Sequence, residues 1–591
     1  MRKLAHYFIP YLLPLVLLLG LVYGQTWTTL ALPNYMATII DKGVVAHSTK
    51  VIYHTGLLMI TVALLGGVFM VCVSFVATRM ATSYTRRIRE AIFTKVERFS
   101  LVEFNSFSSA SLITRSTNDV QQIQQVLVML LRIAFLGPFM GVGAIIRAYH
   151  LAPSMTWIMA LAIAALILVV ISLFTMVLPK FQRVQKLVDR LNLVTREFLT
   201  GIRVIRAFNR EKREEDKFNE VNQDLRTVNT FVNRLLAAMQ PTMMLIMNGV
   251  SILIVWVGAH EVSSGHLQIG GMLAFVQYAA YGIMAFLMIS IIFIFAPRAM
   301  VSVERIGKVL DTEPVVADPL VSKKPLASER GIVAFKDVTF TYAGAERPVL
   351  EHVTFEARPG QTTAFVGSTG SGKSTLINLI PRFYDVSDGQ VLIDGVDVRD
   401  MTQVDLHRKI GYIPQKAVLF SGTIESNITY GSPQATAAEL EHAASVAQAS
   451  EFIKLLDNKM DSPISQGGIN VSGGQKQRLS IARALAYQPE IYIFDDSFSA
   501  LDFTTDANLR KALQKETLDK TVLIVAQRIS TIMQADNIIV IDDGRIVGQG
   551  RHEELLKSCK IYQEIAQSQL SEKELKASIE TFKTRDAGAA R

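Results

Sequence analysis

The sequence predicts an α-helical membrane domain of six transmembrane helices with long intracellular extensions, fused to an α/β P-loop nucleotide-binding domain. Three observations predict it. Six long apolar runs fill the first 300 residues, the phosphate loop Gly367-Ser368-Thr369-Gly370-Ser371-Gly372-Lys373-Ser374 follows them, and short apolar segments of strand character surround that loop.

The six runs lie near Phe8–Leu32, Ile52–Ala77, Val126–Ile146, Met155–Leu178, Met239–Val257 and Met272–Phe295. Crossing a bilayer takes about 20 apolar residues. Helices of a soluble core rarely run so long without a polar face, which argues against a large soluble bundle. Basic residues orient the spans. Arg79, Arg86, Arg87, Arg89, Lys95, Arg98 and Arg115 lie between the second and third; Lys180, Arg183, Lys186, Arg190, Arg196, Arg203, Arg206 and Arg210 lie between the fourth and fifth. The remaining connections are short and poor in Lys and Arg. Both basic loops, both termini and the nucleotide-binding domain are therefore expected in the cytoplasm, in a multi-pass protein of the cytoplasmic membrane.

The net charge of +8 reads as topology and attraction to membrane lipid headgroups. No aromatic-basic interleaving points to nucleic acid. Met1-Arg2-Lys3 before an apolar run could mimic a signal peptide, but the run is long and no small-x-small cleavage site follows. Cys72 and Cys559, far apart, make no disulfide framework.

Residues 79–125, folded as a helical hairpin, give arms of about 23 residues, or roughly 35 Å. Residues 179–238 are similar. The tips are expected near Phe104–Ser109 and Gly201–Arg206. A linker with Pro314, Pro319 and Pro325 then leads to the second domain. The expected organisation is a membrane domain at 1–312, a linker at 313–330, a nucleotide-binding domain at 331–570 and a charged tail at 571–591.

Ala364-Phe365-Val366 is a short strand feeding the phosphate loop, and Thr375–Ile380 continues as a helix, the context this motif needs. Backbone N–H groups from Gly367 to Thr375 cradle phosphates, Lys373 reaches the outer ones, and the Ser374 hydroxyl meets Mg²⁺. Downstream lies Val471-Ser472-Gly473-Gly474-Gln475. Together the two motifs resemble those of the ATP-binding cassette (ABC) family, and six spans with long loops before one cassette resemble an exporter half-transporter. ATP and Mg²⁺ are the implied ligands.

The resemblance assigns roles along the cassette. Val333–Tyr342 reads as a strand, after which Tyr342 is the aromatic that stacks on adenine in the family. Ile410-Gly411-Tyr412-Ile413-Pro414-Gln415 matches the family's Gln loop, so Gln415 would touch Mg²⁺ and the attacking water. Ile491-Tyr492-Ile493-Phe494-Asp495 is a buried strand delivering Asp495 to the Mg²⁺ shell. Asp502, in Ser499-Ala500-Leu501-Asp502, matches the loop that communicates between two ATP sites. Ser472, Gly473, Gly474 and Gln475 would act on ATP held by a partner.

Two positions are wrong for a fully competent site of the family. Asp496 stands where Glu usually polarises the attacking water; one methylene fewer retracts the carboxylate by on the order of 1 Å, which can cost about 100-fold in rate. Gln527, after the strand Thr521–Ala526, stands where His usually contacts the γ-phosphate, and an amide carries neither an imidazole's charge nor its proton. Gln466 replaces a common Glu before the signature, and Val471 a usual Leu. A weakened site beside a good signature resembles one half of a heterodimeric exporter, whose partner would be a second half-transporter.

Met239, Met243, Met244 and Met247, with Met272, Met284 and Met288, form an adaptable apolar set, joined by Phe275, Tyr278, Tyr281, Phe286, Phe293 and Phe295. Such a surface suits a small hydrophobic substrate, although for each residue taken singly, facing lipid or a neighbouring helix is the favoured reading. Arg132 in the third span should face the bundle interior or the cytosolic edge. Three readings follow: an exporter of hydrophobic or amphipathic compounds, of multidrug type; a lipid floppase; and an ATP-gated regulatory subunit. A homodimeric exporter is the alternative assembly.

Overall fold

The computed structural model describes residues 6–325 and 330–570, without the side chains at 173, 174, 178, 182, 293, 294 and 298. The tail at 571–591 and part of the linker, 326–329, lie outside the described residues. The chain divides into two compact units. One comprises Met1–Glu97 and Ser108–Thr312; the other comprises Arg98–Phe107 and Glu313–Arg591.

Among the described residues, the first unit holds six long helices: α1 (Ile9–Val44), α2 (Thr49–Glu97), α3 (Ser109–Leu151), α4 (Pro153–Ala207), α5 (Glu211–Ser263) and α6 (Ile269–Asp311). Each contains an apolar window, with mean hydropathy from 1.6 to 3.0, and at most 25% of any window is buried within the chain. In α2 the share is 6%. Leu57, Leu64, Val68, Val71 and Phe75 point outward from it. So much apolar area left uncovered requires a non-aqueous surrounding, and these are membrane-spanning helices.

Neighbours pair as α1 with α2, α3 with α6, and α4 with α5. A core of Met155, Ile158, Leu166, Ile254, Phe275 and Ile283 joins several of them. The Tyr278 hydroxyl donates to Leu30 O at 3.0 Å, satisfying a buried donor where no water is at hand. The Met-aromatic set divides: Met243, Phe275 and Tyr278 are buried core, whereas Met244, Met284 and Phe295 are exposed. Arg132 is half-buried.

The helices run through the basic segments without interruption. From Thr78 to Glu97, α2 adds 20 residues beyond its apolar run, about 30 Å. The chain reverses over Arg98–Ser108, where a short helix, Leu101–Phe107, belongs to the second unit. The other tip differs from expectation. Gly201–Arg206 is helical, inside α4, and the reversal comes at Phe208–Arg210. A glycine costs a helix only about 1 kcal/mol, while Asn209 takes the left-handed φ of 50° that the turn needs.

Among the described residues, the second unit is built on twelve strands: β1 (Val333–Phe340), β2 (Leu350–Ala357), β3 (Thr362–Val366), β4 (Asp388–Ile393), β5 (Val396–Asp397), β6 (Ile410–Ile413), β7 (Gly422–Thr423), β8 (Pro463–Ile464), β9 (Ile491–Asp495), β10 (Thr521–Val525), β11 (Asn537–Asp542) and β12 (Arg545–Gly550). An antiparallel sheet orders as β2-β1-β4-β5, and the central sheet as β12-β11-β3-β10-β9-β6. In the central sheet, β11, β3, β10, β9 and β6 run parallel. Covered on both faces, these strands read as near-continuous apolar runs. The register pairs Val525 with both Phe365 and Asp495. The carboxyl ends of β3, β9 and β10 therefore lie side by side, where open α/β sheets hold their ligands.

Candidate nucleotide site

The phosphate loop leaves β3 and enters helix α7 (Lys373–Leu379). Gly370 and Gly372 take φ of 85° and 98°, conformations that exact a cost from any side chain. Gly367 is needed for space. A Cβ there would lie 2.0 Å from Ile541 O and 2.8 Å from Ser371 Oγ. The backbone is thus bent into a cradle beneath the helix N-terminus.

Lys373 is buried, and its Nζ donates to Gly367 O at 2.9 Å and Ser368 O at 2.6 Å. Burial lowers its pKa, while Asp496 and Asp495 oppose that shift. Ser374 Oγ donates to Asp495 Oδ1 at 3.1 Å, and Tyr412 Oη approaches Asp495 Oδ2 at 3.4 Å. Burial raises the pKa of Asp495, and those two hydrogen bonds work against the rise. A buried carboxylate hydrogen-bonded to a serine hydroxyl offers hard oxygen donors, which suits Mg²⁺.

Asp496 follows β9 with a φ of 47°, its N–H bonded to Val525 O at 2.9 Å. That bend turns its carboxylate toward two amides. Gln527 Nε2 donates to Asp496 Oδ2 at 2.9 Å, and Gln415 Nε2 reaches the same oxygen at 3.2 Å. Burial raises the Asp496 pKa, and the bond from Gln415 leads the opposing effects. Asp496, Ser499, Ala526, Gln527, Arg528 and Thr531 line a cavity of about 170 Å³.

Tyr342 stands just past β1. Its hydroxyl is 3.0 Å from Thr375 Oγ1, and its ring meets those of Phe340 and Tyr384 edge-on. The structure thus brings Tyr342, the phosphate loop, Gln415, Asp495, Asp496 and Gln527 to one end of the central sheet.

The signature segment begins helix α8 (Gly473–Tyr487). Ser472 and Gln475 cap each other: Gln475 N donates to Ser472 Oγ at 3.3 Å, and Ser472 N to Gln475 Oε1 at 2.9 Å. Ser472 and Gly473 are exposed. Asp502 caps helix α9 (Phe503–Glu516), accepting from Thr505 N at 2.9 Å and Thr505 Oγ1 at 2.7 Å. Gln466 is exposed on a single turn, Gln466–Gly468. Sequence reasoning missed Tyr412 as a partner of Asp495, and Gln477, which is buried and donates to Pro414 O at 3.2 Å. Tyr412 sits within the Gln-loop motif and could have been found there; Gln477 carried no local signal.

A cradle for phosphates, a buried Asp–Ser pair and six membrane helices define a membrane transporter with its own ATP-binding domain. A family model of the ABC transporter transmembrane region matches residues 15–286, and one described as ABC transporter matches residues 350–499. The chain is 41% identical over 563 residues to an uncharacterized ABC transporter ATP-binding protein of Mycobacterium tuberculosis, covering 95% of this chain and 96% of the other. It is 37% identical over 571 residues to the ABC transporter ATP-binding protein YfiB of Bacillus subtilis, covering 96% and 98%. With the ATP-dependent lipid A-core flippase of Desulfotalea psychrophila it shares 32% over 569 residues, covering 94% and 97%. A solved structure of a bacterial Atm1-family ABC exporter with ATP bound matches with a TM-score of 0.79 and 27% identity, covering 95% of this chain and all of that one.

The chain belongs to the ABC transporter family. It has the architecture of an exporter half-transporter, a multi-pass membrane protein that couples ATP to transport across the membrane.

Proposed function

We propose that this chain is the subunit of a heterodimeric exporter that carries the weakened ATP site and moves hydrophobic or amphipathic compounds, of multidrug type, out through the cytoplasmic membrane. The observation that carries the reading is the Asp496–Gln527 pair. A short carboxylate, held at one oxygen by two neutral amides, stands where the family places a glutamate and a histidine. Each amide bond stabilises the charged form and so offsets part of the rise that burial gives the Asp496 pKa, leaving a weaker base than the same buried carboxylate without them.

ABC exporters of this fold work as dimers. Two cassettes meet head to tail, so Ser472, Gly473, Gly474 and Gln475 of this chain act on ATP held by the partner. The mutual cap of Ser472 and Gln475 leaves the first N–H groups of α8 free, the arrangement that attracts an anionic phosphate. Lys373 and the loop amides bind the phosphates of this chain's own ATP, and Tyr342 stacks on its adenine. Ser374, Gln415 and Asp495 would hold Mg²⁺, which supplies charge neutralisation on the phosphates when bound. Asp496 orients the attacking water, and Gln527 contacts the γ-phosphate. Asp502 links the two sites. The basic tips and the cassettes lie in the cytoplasm.

A second reading, export of a lipid, is favoured by the similarity to a lipid A-core flippase. It predicts ATPase stimulation by one lipid rather than by many apolar compounds.

The test is the ATPase rate of the full chain, alone in lipid, beside the variant D496E/Q527H. A nearly inactive natural chain and a variant gaining 10-fold or more support the slow site. A brisk natural chain that the variant does not improve refutes it and describes a homodimeric exporter.

A further inference from the structure

The last described helix reaches back to the nucleotide site. Helix α10 (Ile529–Ile532) follows Gln527, and helices α11 (His552–Ser558) and α12 (Lys560–Gln569) follow the sheet. At the end of α12, the Gln569 side-chain amide makes two hydrogen bonds across Arg528. Its Nε2 donates to Gln527 O at 2.8 Å, and its Oε1 accepts from Ile529 N at 2.8 Å. Ile529 N is a first-turn donor, which α10 cannot satisfy by itself. One side chain therefore fixes the backbone on both sides of the link between β10 and α10.

The anchor is rigid. Tyr562 and Ala566 of α12 are fully buried, and Tyr562 Oη lies 2.6 Å from His552 Nδ1 of α11. A second helix holds the same segment. Arg510 of α9 donates to Ser530 O at 2.9 Å while paired with Asp506, and α9 is the helix that Asp502 caps. Gln569 grips the residue whose side chain reaches Asp496.

We propose that Gln569 is a positioning residue of this ATP site: it fixes the backbone at Gln527 so that the Gln527 amide meets the Asp496 carboxylate, and the C-terminal helix thereby sets the rate of ATP cleavage. The inference rests on the reading of Asp496 and Gln527 as the side chains that orient water and contact the γ-phosphate. Gln569 acts through Gln527 and touches no reacting group. Releasing both hydrogen bonds lets the amide drift, and a displacement near 1 Å can cost about 100-fold in rate.

The experiment is single-turnover cleavage of Mg·ATP by the full chain in lipid nanodiscs, with the chain in excess and the reaction followed to completion, so that a slow site is still read. Four chains are compared: natural, Q569M, Q527A and the double variant. Q569M is expected to lower the maximal rate about 10-fold and leave the chain concentration at half-maximal rate within about twofold. In the Q527A background it should change nothing further, because two residues acting through one contact are not additive. A rate within twofold of the natural chain, a loss that multiplies with that of Q527A, a loss confined to ATP affinity, or a natural chain with no cleavage at all would overturn the proposal. If Q527A itself has no effect, the fault lies with the role given to Gln527. The absolute rate of the natural chain judges the slow-site reading separately.

Discussion

The Gln527 amide and the Asp496 carboxylate meet at 2.9 Å although 31 residues separate them. The central sheet brings about the meeting. β9 and β10 are parallel neighbours with Asp495 opposite Val525, so the residues that follow each strand emerge together. A hydrogen bond from Asp496 N to Val525 O at 2.9 Å locks the exit of β9 onto its neighbour. Asp496 can therefore be shifted either by its own length or by anything that moves the end of β10.

The cradle tolerates no side chain at Gly367. In G367A the new Cβ would fall 2.0 Å from Ile541 O, a backbone atom of β11 that cannot swing aside. The loop must move, at a cost of roughly 1–3 kcal/mol in stability. ATP affinity is expected to fall at least about tenfold, or 1.4 kcal/mol. Equilibrium binding of a labelled ATP analogue measures the loss, and unchanged affinity would contradict the geometry.

His552 predicts how the second unit responds to acid. It is buried against Tyr562, and burial lowers its pKa below the ordinary 6.5. A group whose folded-state pKa is depressed contributes stability that is present above its unfolded value and lost as pH falls through the folded one. The thermal midpoint of the second unit should therefore fall as pH drops below about 6.5. H552Q should flatten that slope, since glutamine does not titrate in this range. Thermal unfolding from about pH 7.5 to 5 checks it; an equal slope in both chains would assign the acid response elsewhere.

Orientation is open to a direct check. Cys72 is half-buried in α2 and Cys559 is buried. In a C72S background, S264C would place a thiol at the exposed end of α5, and N209C would place one at the exposed tip between α4 and α5. A membrane-impermeant maleimide added to intact cells should label S264C and leave N209C untouched, with the reverse in inside-out vesicles. The opposite pattern would invert the proposed topology.

Legibility followed the range of the physical signal. The spans were readable because about 20 consecutive apolar residues have few other uses. β3, β9 and β10 were readable as strands from their short apolar runs, and β9 as a buried one, because covering on both faces leaves little but apolar residues between a strand's ends. The phosphate loop and the signature were readable because backbone geometry demands glycines at fixed spacing. The tip expected near Gly201–Arg206 comes instead at Phe208–Arg210, where Asn209 takes the positive φ that the turn needs.

By itself, then, the sequence determined the two-part architecture, the ATP-binding motifs and the identities Asp496 and Gln527, all of which are local properties. Tertiary structure alone decided which partners those residues meet. It placed two amides on one oxygen of Asp496, set Tyr412 beside Asp495 and sorted Met243 into the core from Met244 at the surface. It also carried Gln569 back across 42 residues to Gln527. Such contacts depend on strand order and helix packing, and single residues in a polar stretch leave no periodic trace of them.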